Sequence, residues 1–285
     1  MSRIPISDFT DHRLAPYCNL RERTLRGESI FIAEGKLVVE RLLRSPYEVE
    51  SILTAEENLQ NREIFDLVDE KIPVFVADRK IMIDQIVGFE FYQGILALGK
   101  RPCLKTFFDG MDTWKKTDRS RQGSAWVVLP DATKPDNLGL AFRAAAALDA
   151  AGVVLGESCC DPFSRRALRV SMGGILQLPI WCADHLFDEM KEIRKEYSLP
   201  FYATVLDPDS VLLPDIDRWP NEAAFLFGNE YSGLSRDLID FCDKKIIIPI
   251  RPDVDSLNLG VSVGIFLYEF NRRRIHDRSS DGNRT

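Results

Sequence analysis

The sequence predicts an α/β protein in which a small α/β domain precedes a larger domain built on a parallel sheet. Short apolar segments alternate with helical patterns over 31–100, and the same alternation resumes at 125, which is typical of layered α/β folds. Between the two runs lies a polar stretch rich in Lys and Arg, as expected of a linker. We therefore predict a first domain at 1–105, a linker at 106–122, a second domain at 123–275 and a disordered polar tail at 276–285.

The first run predicts three strands and three helices. FIAEGKLVVERLL places apolar residues at i, i+3 and i+4 and predicts an amphipathic helix from 31. The elements that follow are strand 49–53, a helix over ENLQNREIFDLVDE, strand 73–77, a helix at 79–87 and strand 92–99.

The second run has the βαβα rhythm of a parallel sheet. Its strands are AWVVLP, GVVLG, FYATVL, AAFLFG and KIIIPI, and its helices are 137–149, 163–170, 185–197, 234–241 and 256–274. Ligands of open parallel sheets bind at the carboxyl ends of the strands. The loops after these strands are therefore the first places to look for a site.

Composition argues against several classes of protein. The 285 residues are 45% hydrophobic and 28% charged, which is ordinary for a globular protein. No apolar run reaches the length of a membrane span, and the polar start lacks a signal-peptide core, so we expect a cytoplasmic protein. Only three histidines occur, which disfavours a His-based metal site and a Ser-His-Asp hydrolase. We expect no metal.

The cysteines and the charged clusters can each be explained without a function. Six cysteines form no C-x-x-C pair, and the adjacent Cys159 and Cys160 are interpreted as two small residues at a strand end rather than as a redox pair. A net charge of −7 argues against a generic nucleic-acid coating protein. Local arginine clusters, such as Arg165, Arg166 and Arg169, are either solvated faces or contacts to an RNA backbone.

The loop after AWVVLP leads into a helix that is apolar or small on all sides except at Arg143. Such a helix should be buried, and a lone buried arginine must find a partner. A salt bridge between domains or subunits is one possibility. We favour a functional arginine that holds a phosphate or a reacting oxygen. Asp136 or Asn137 is the expected cap of this helix.

Two further strand ends carry polar residues that a plain turn does not require. Gly228 permits close approach of a ligand to the backbone, and Asn229 and Glu230 follow it with an amide and a carboxylate. The segment 248–258 contains two prolines that stiffen it and includes Ser256, the expected cap of the last helix. Each loop read alone is equally consistent with a capped connection.

Together these residues resemble a known family. N-L-G-x-x-x-R at 137–143, G-N-E-x-x-G-L at 228–234 and I-P-I…S-L-N at 248–258 look like the three signature motifs of the SpoU (TrmH-like) branch of the SPOUT RNA methyltransferases. The likeness covers about 123–274. Residues 27–100 resemble the small ribosomal-protein-like substrate-binding domain that precedes many of these enzymes.

The resemblance implies transfer of methyl from S-adenosylmethionine to a ribose 2′-hydroxyl of ribosomal or transfer RNA. It also implies a trefoil knot and a homodimer with active sites at the subunit interface. We expect ribosomal RNA because an accessory domain of this type is commoner there. The implied cofactor contacts are Gly228, Asn229, Ile248, Ile250 and Leu257, and the implied reaction-site residues are Asn137, Arg143, Glu230, Ser256 and Asn258.

Three positions of this sequence depart from the family pattern. The family usually has threonine after the arginine of the first motif, where this chain has Ala144. In the third motif it often has glycine where this chain has Pro252 and serine where this chain has Gly260. The alternatives are a transfer RNA methyltransferase and a catalytically silent knotted RNA-binding or assembly factor, which the retained motif residues disfavour. A dehydrogenase is disfavoured because no G-x-G-x-x-G loop occurs.

Overall fold

The computed structural model describes residues 2–7, 10–18, 28–78, 94–117, 124–251, 253 and 256–281, with side chains in the last helix as far as 272. The chain folds as two compact units. Unit 1 contains Met1–Cys103 and Asp161–Gln177, and unit 2 contains Leu104–Cys160 and Leu178–Thr285. The first division lies close to the boundary expected at 105. Residues 161–177, which we expected in the second domain, fold with unit 1.

The helices and strands of the described residues are as follows. The strands are β1 (Ser2–Pro5), β2 (Ile30–Glu34), β3 (Val49–Ala55), β4 (Pro73–Ala77), β5 (Ile95–Lys100), β6 (Ser124–Leu129), β7 (Gly152–Leu155), β8 (Ile180–Cys182), β9 (Phe201–Thr204), β10 (Val211–Leu212), β11 (Glu222–Phe227) and β12 (Lys244–Ile247). The α-helices are α1 (Lys36–Leu43), α2 (Arg62–Phe65), α3 (Phe107–Lys115), α4 (Pro135–Ala147), α5 (Arg165–Val170), α6 (Leu186–Tyr197), α7 (Arg236–Phe241) and α8 (Leu259–Asp281).

Unit 1 is built on a mixed sheet with the strand order β1-β4-β3-β5-β2. Strands β1 and β3 run parallel to β4, whereas β5 runs antiparallel to β2 and β3. Leu14 and Tyr17, from a 3-10 helix at His12–Tyr17, pack with Leu53 and Phe75 in the core of this unit. The residues before 18 therefore complete the sheet and its core, a role that was not predicted from the sequence.

Residues 161–177 are held in unit 1 by apolar packing and one paired charge. Phe163 is buried, and its ring centroid lies 5.1 Å from that of Phe31 and 5.6 Å from that of Tyr47. Arg101 donates hydrogen bonds of 2.7 and 3.0 Å to the two carboxylate oxygens of Asp161. Because this ion pair is bidentate and mostly shielded from water, it fixes the point where the segment enters the unit.

Unit 2 contains a seven-stranded parallel sheet with the order β10-β12-β9-β11-β6-β7-β8, which confirms the predicted α/β class. Parallel pairing brings the carboxyl ends of β6, β11, β9 and β12 to one edge of the sheet, in neighbouring positions. The loops that follow these four strands therefore meet. The trefoil knot stays a prediction.

Several predicted elements of unit 1 differ from the structure. The expected helix from 31 begins as strand β2, in which Phe31, Ile32 and Ala33 are buried, and the helix starts only after Gly35 (φ 92°). The expected helix after β3 is instead a 3-10 turn at Glu56–Gln60 followed by α2. The helix expected at 79–87 lies outside the described residues.

The expected linker at 106–122 contains helix α3, which belongs to unit 2. Thr106 caps the helix by accepting a hydrogen bond of 3.2 Å from the amide of Asp109. Phe107, Met111 and Trp114 lie at i, i+4 and i+7 and are buried. The polar residues around this apolar stripe obscured the helical spacing in the sequence.

The last helix also has different limits from those expected. It begins at Leu259, and the side chain of Asn258, not that of Ser256, accepts a hydrogen bond of 2.9 Å from the second helical residue, Gly260. The helix continues to Asp281, so residues 276–281 of the expected disordered tail are helical, and 282–285 lie outside the described residues. A polar sequence without Gly or Pro can continue a helix that is already nucleated.

Helices α4 and α8 pack closely at one departure from the family pattern. A Cβ atom at Gly260 would lie 2.5 Å from the Cβ of Leu140, so the two backbones approach within a distance that serine would not permit without movement. One turn further along α8, a Cβ atom at Gly264 would lie 3.8 Å from the Cβ of Ala144. The small residues at 144 and 260 thus belong to one close helix contact.

Candidate functional site

A cavity of about 500 Å³ lies at the carboxyl ends of β9, β11 and β12. We call it the strand-end cavity. Its walls are drawn from residues within 204–206, 227–234, 246–250 and 256–266, together with Ile239. The volume falls within the usual range for small-molecule sites, and the position agrees with the rule for open parallel sheets.

Seven of the ten predicted site residues line this cavity. They come from the second and third motifs and are Gly228, Asn229, Glu230, Ile248, Ile250, Ser256 and Leu257. The residues predicted from the second and third loops of the sequence thus meet at one place, although Gly228 and Ile248 are 20 positions apart in the sequence.

Gly228 lies where the backbone turns sharply after β11. A Cβ atom at this position would be 2.5 Å from the carbonyl carbon of Gly233 and 2.7 Å from the amide nitrogen of Leu234. Only glycine fits such a close backbone approach. The turn leaves main-chain groups along the cavity wall.

The side chain of Asn229 joins the second motif to the loop after β6. Its Nδ2 donates hydrogen bonds to the main-chain oxygen of Asp131 at 2.9 Å and to the carboxylate Oδ2 of Asp131 at 3.3 Å. Its Oδ1 accepts a hydrogen bond of 2.9 Å from the amide of Tyr231. Asn229 therefore orients the loop, and only part of its amide remains available to a ligand.

A chain of side-chain hydrogen bonds connects all three motifs. Asn258 Nδ2 donates to Asn137 Oδ1 at 3.0 Å, and Asn137 Nδ2 donates to Glu230 Oε1. Asn137 and Asn258 do not line the cavity, but this chain connects Asn137 directly, and Asn258 through Asn137, to Glu230, which does. Three loops distant in sequence are thereby locked in one arrangement.

Asn137 does not cap α4, contrary to one of the expectations. The helix begins at Pro135, and the residue before it, Lys134, makes no side-chain capping bond. Proline suits this first helical position because its missing N–H would have no partner within the helix. The side chain of Asn137 is consequently free of a capping role and turns toward Glu230.

Arg143 was expected to be buried, and this expectation was wrong. The residue is exposed and makes no hydrogen bond or ion pair with any residue that the structure describes. The buried face of α4 is formed by Leu138, Ala141, Phe142 and Ala145, and the remaining alanines tolerate water. An apolar sequence around a whole helix does not require burial when the outer residues are small.

Arg143 also lies away from the strand-end cavity of its own chain. Six residues along an α-helix correspond to about 9 Å of rise and a rotation of about 120° from Asn137. The exposed Leu140 shares the face of Arg143. The guanidinium is therefore held on a rigid helix, is not in a salt bridge with the described residues of this chain, and points away from Asn137.

The contribution of β9 was not predicted from the sequence. Thr204, Val205 and Leu206 line the cavity at the end of this strand, and the Thr204 hydroxyl donates a hydrogen bond of 2.8 Å to the main-chain oxygen of Leu226. The only available signal was that FYATVL ends at the same sheet edge as the other strands. None of its residues carries a charge that would have attracted notice.

Cys159 takes part in holding the loop after β6. Its thiol donates a hydrogen bond of 3.0 Å to the main-chain oxygen of Leu129, and burial raises the pKa of Cys159 to about 11. Neither Cys159 nor Cys160 forms a disulfide with the residues that the structure describes. A thiol with such a high pKa is unreactive at neutral pH, in agreement with a structural role.

The strand-end cavity fits the cofactor that the resemblance implies. Its walls carry apolar side chains such as Val205, Leu257 and Phe266, beside the main chain at Gly228 and the carboxylate of Glu230. An adenosyl group requires a flat apolar slot with main-chain donors and acceptors, and an amino acid moiety requires polar groups. Both kinds of surface are present.

The described residues contain neither a metal-binding cluster nor a membrane-spanning helix. No group of three His, Cys, Asp or Glu side chains there is arranged to hold a metal ion. No helix among these residues has the length and apolar character needed to cross a lipid bilayer.

The sequence matches two family models. Residues 124–268 match the SpoU rRNA methylase family, and residues 32–102 match a domain described as RNA 2′-O ribose methyltransferase substrate binding. An uncharacterized tRNA/rRNA methyltransferase of Mycobacterium bovis is 30% identical over 95% of this chain and 92% of its own length. The 23S rRNA (guanosine-2′-O-)-methyltransferase RlmB of Acinetobacter baylyi is 25% identical over 68% of this chain and 76% of its own length.

Solved structures show the same similarity. The AdoMet-bound rRNA methyltransferase from Sinorhizobium meliloti superposes with a TM-score of 0.78 and 25% identity, covering 95% of this chain and 98% of that one. The SpoU methyltransferase AviRb from Streptomyces viridochromogenes, in complex with AdoMet, has a TM-score of 0.76 and 20% identity over 93% of this chain and 100% of its own, which establishes likeness of fold.

Proposed function

Because this chain belongs to the SpoU rRNA methylase family, it is an S-adenosylmethionine-dependent RNA methyltransferase, and we propose that it methylates ribose 2′-hydroxyl groups of ribosomal RNA. The similarity to a 23S rRNA 2′-O-methyltransferase supports ribosomal over transfer RNA, and the substrate-binding model matched at 32–102 supports a ribose 2′-hydroxyl as the target. We also propose that the enzyme acts in the cytoplasm. The observation that carries the proposal is the hydrogen-bond chain from Asn258 through Asn137 to Glu230 beside the strand-end cavity.

We assign S-adenosylmethionine to the strand-end cavity. Main-chain groups at Gly228 and Asn229 and the side chains of Ile248, Ile250 and Leu257 would hold it. When bound, the cofactor supplies a methyl group on a positively charged sulfur. The apolar walls exclude water, which strengthens electrostatic interactions inside the site.

The reaction-site residues act on the RNA hydroxyl and on its neighbouring phosphate. Transfer of a methyl group to a hydroxyl requires alignment, and the hydroxyl proton passes to water as the new O–C bond forms, so the step needs no metal. Arg143 would hold the phosphate next to the target ribose and stabilise the negative charge that develops on the sugar oxygen. A guanidinium does not give up its proton in proteins and is therefore a poor base, so its role is electrostatic. Glu230, Ser256, Asn137 and Asn258 would orient the ribose.

The position of Arg143 supports a homodimer in which each copy completes the site of the other. Leu140 on α4 and Val261 and Tyr268 on α8 are 36%, 49% and 58% exposed, and these two helices pack together. We infer that these three residues and the exposed Arg143 lie on one face of the helix pair. A second copy of this chain that covers this face would bring its own Arg143 toward the first cavity. Two-fold association of identical faces is the commonest form of oligomer.

Methyl transfer from radiolabelled S-adenosylmethionine to ribosomal RNA and to transfer RNA from cells lacking the gene tests the proposed substrate. We expect label in ribosomal RNA at a 2′-O position, resistant to alkaline cleavage.

Arg143→Ala should lose at least about 100-fold in methylation rate, as expected when a group that stabilises developing charge is removed. Its cofactor affinity and its thermal unfolding should stay close to wild type, because the side chain is exposed and makes no bond to the described residues.

Mixing two inactive variants tests whether the site is shared. If Arg143 acts on the cavity of the partner, Arg143→Ala mixed with Glu230→Gln should recover about a quarter of wild-type activity, since half of the dimers are mixed and each has one intact site. Recovery of no activity, with mixed dimers demonstrated by differently tagged chains, would place Arg143 and Glu230 in the same copy or remove one of them from the reaction. Label found only in transfer RNA would contradict the proposed substrate.

A further inference from the structure

Tyr231 has an unusual position in the loop after β11. Its side chain is 80% exposed, the largest fraction among the large hydrophobic side chains that the structure describes, and it lies at the mouth of the strand-end cavity. A single exposed aromatic residue elsewhere on a surface would need no explanation. This one follows directly after Glu230.

The backbone that carries Tyr231 is held in place. Main-chain hydrogen bonds of 3.2 and 2.8 Å join Asn229 and Gly233 in both directions. The amide of Tyr231 donates to Asn229 Oδ1, and Asn229 is itself bound to Asp131. The ring is therefore presented to solvent from a closed turn rather than from a loose loop.

Lys134 lies beside this ring. Its Nζ donates a hydrogen bond to the Tyr231 hydroxyl and lies 4.4 Å from the ring centroid. The hydrogen bond raises the pKa of Lys134 above its usual value, so the ammonium stays charged at neutral pH. An aromatic face and a fixed cation thus stand together at the entrance to the cavity.

We propose that Tyr231 and Lys134 form a stacking platform for one RNA base next to the target nucleotide. In this arrangement the ring stacks on the base and the ammonium contacts a backbone phosphate. Proteins that bind single-stranded RNA use this combination because every base has a face that stacks and every linkage carries a negative charge. The inference rests on the proposed function and adds the group that positions the strand at the site.

The exposure of the ring argues against a contact with the cofactor. Tyr231 borders the cavity, but the residue is 80% exposed, so most of its surface is open to solvent rather than covered by the cavity walls. The apolar walls inside the cavity are formed by other residues, among them Ile248, Leu257 and Phe266. The ring is free to meet a molecule that arrives from outside.

Binding of two short probes tests the platform apart from catalysis. The first is a fluorescein-labelled oligoadenylate of about twelve nucleotides, and the second is a strand of equal length without bases. Tyr231→Ala should raise the Kd for oligoadenylate about tenfold, equal to about 1.4 kcal/mol, and should leave the Kd for the abasic strand unchanged. Tyr231→Phe keeps the ring and should stay within about twofold of wild type, as should the exposed control Leu212→Ala.

Four results would overturn the platform. These are equal weakening of both probes by Tyr231→Ala, a Tyr231→Phe variant as weak as Tyr231→Ala, equal affinity of the wild type for the two probes, and a tenfold loss of S-adenosylmethionine affinity in Tyr231→Ala. The last result would make Tyr231 a cofactor contact. Failure of the proposed function would appear separately, as absence of methyl transfer to RNA by the wild type, whatever the two probes show.

Discussion

The side-chain amide of Asn258 makes two hydrogen bonds, one through its oxygen and one through its nitrogen, and each bond has a different role. Its Oδ1 accepts a hydrogen bond from the amide of Gly260 and begins α8, whereas its Nδ2 donates to Asn137 and supports Glu230. The first bond stabilises the fold, and the second connects the motifs. A substitution that keeps the acceptor oxygen and removes the donor nitrogen therefore separates the two roles.

Asn258→Asp should keep the stability of the protein and lose activity. The carboxylate still accepts from Gly260 and suits a helix N-terminus, but it offers no donor to Asn137 and places a second negative charge near Glu230. Asn258→Ala loses both bonds and should lower the free energy of unfolding by about 1 kcal/mol. Urea unfolding and methylation rates check both variants. A fully active Asn258→Asp enzyme would show that the connection between the motifs is not needed.

The candidate site residues could be named from the sequence because some are unusual for turns and because the three motifs resemble those of a known family. Gly228 and Glu230 stand out after a strand whatever the three-dimensional structure, and so does an arginine among alanines. Their partners were not predictable, because the bond between Asn137 and Glu230 joins positions 93 residues apart. The exposure of Arg143 was missed for a related reason, since only the neighbours of α4 decide which side of it is covered.

Among the elements, α3 shows how packing can outweigh local propensity. Gly110 lies in the middle of this helix, where alanine would be preferred by up to about 1 kcal/mol. A Cβ atom there would lie 2.1 Å from the Cε2 of Trp181. Trp181 is stacked between Phe107, at a centroid distance of 5.8 Å, and Trp126, at 4.4 Å, so it has little room to move.

Gly110→Ala should therefore destabilise the protein by about 2 kcal/mol, the usual cost of overfilling a packed core. Thr113→Ala, at an exposed position of the same helix, should change the free energy of unfolding by less than about 0.5 kcal/mol. Chemical denaturation of both variants makes the comparison. If Gly110→Ala is as stable as the control, then residues 107–115 do not pack on Trp181 and belong to the linker expected from the sequence.

The two main sheets could be predicted to different extents. The parallel sheet of unit 2 follows from the alternation of strands and helices, because its central strands β6, β7 and β11 are apolar and buried on both faces. In unit 1, β1 could not be anticipated. Four residues at the start of the chain carry no periodic signal, and their pairing with β4 spans about 70 positions. Local patterns define elements, whereas long-range pairs define which elements meet.

At the scale of the whole molecule, the chain enters unit 1 twice. Residues 161–177 lie within the part matched by the SpoU methylase model, yet they fold with the unit that contains the substrate-binding model. A boundary drawn from sequence at 123 therefore separates Phe163 from Phe31 and Tyr47, and Asp161 from Arg101. Each family match covers one uninterrupted segment of the sequence. Each compact unit, in contrast, is made of two separate segments.

An isolated 123–285 fragment should consequently aggregate. Loss of 1–105 uncovers Phe163, Leu168 and Ile175, each at most 1% exposed in the full chain. At about 2 kcal/mol for each side chain returned to water, the loss approaches the whole stability of a domain. Size-exclusion chromatography and binding of a hydrophobic dye should show aggregation. The matched control replaces 161–177 by a short Gly-Ser linker and should elute as one species. If the plain fragment is as monodisperse as this control, residues 161–177 do not depend on unit 1, and the sequence boundary at 123 is a true domain limit.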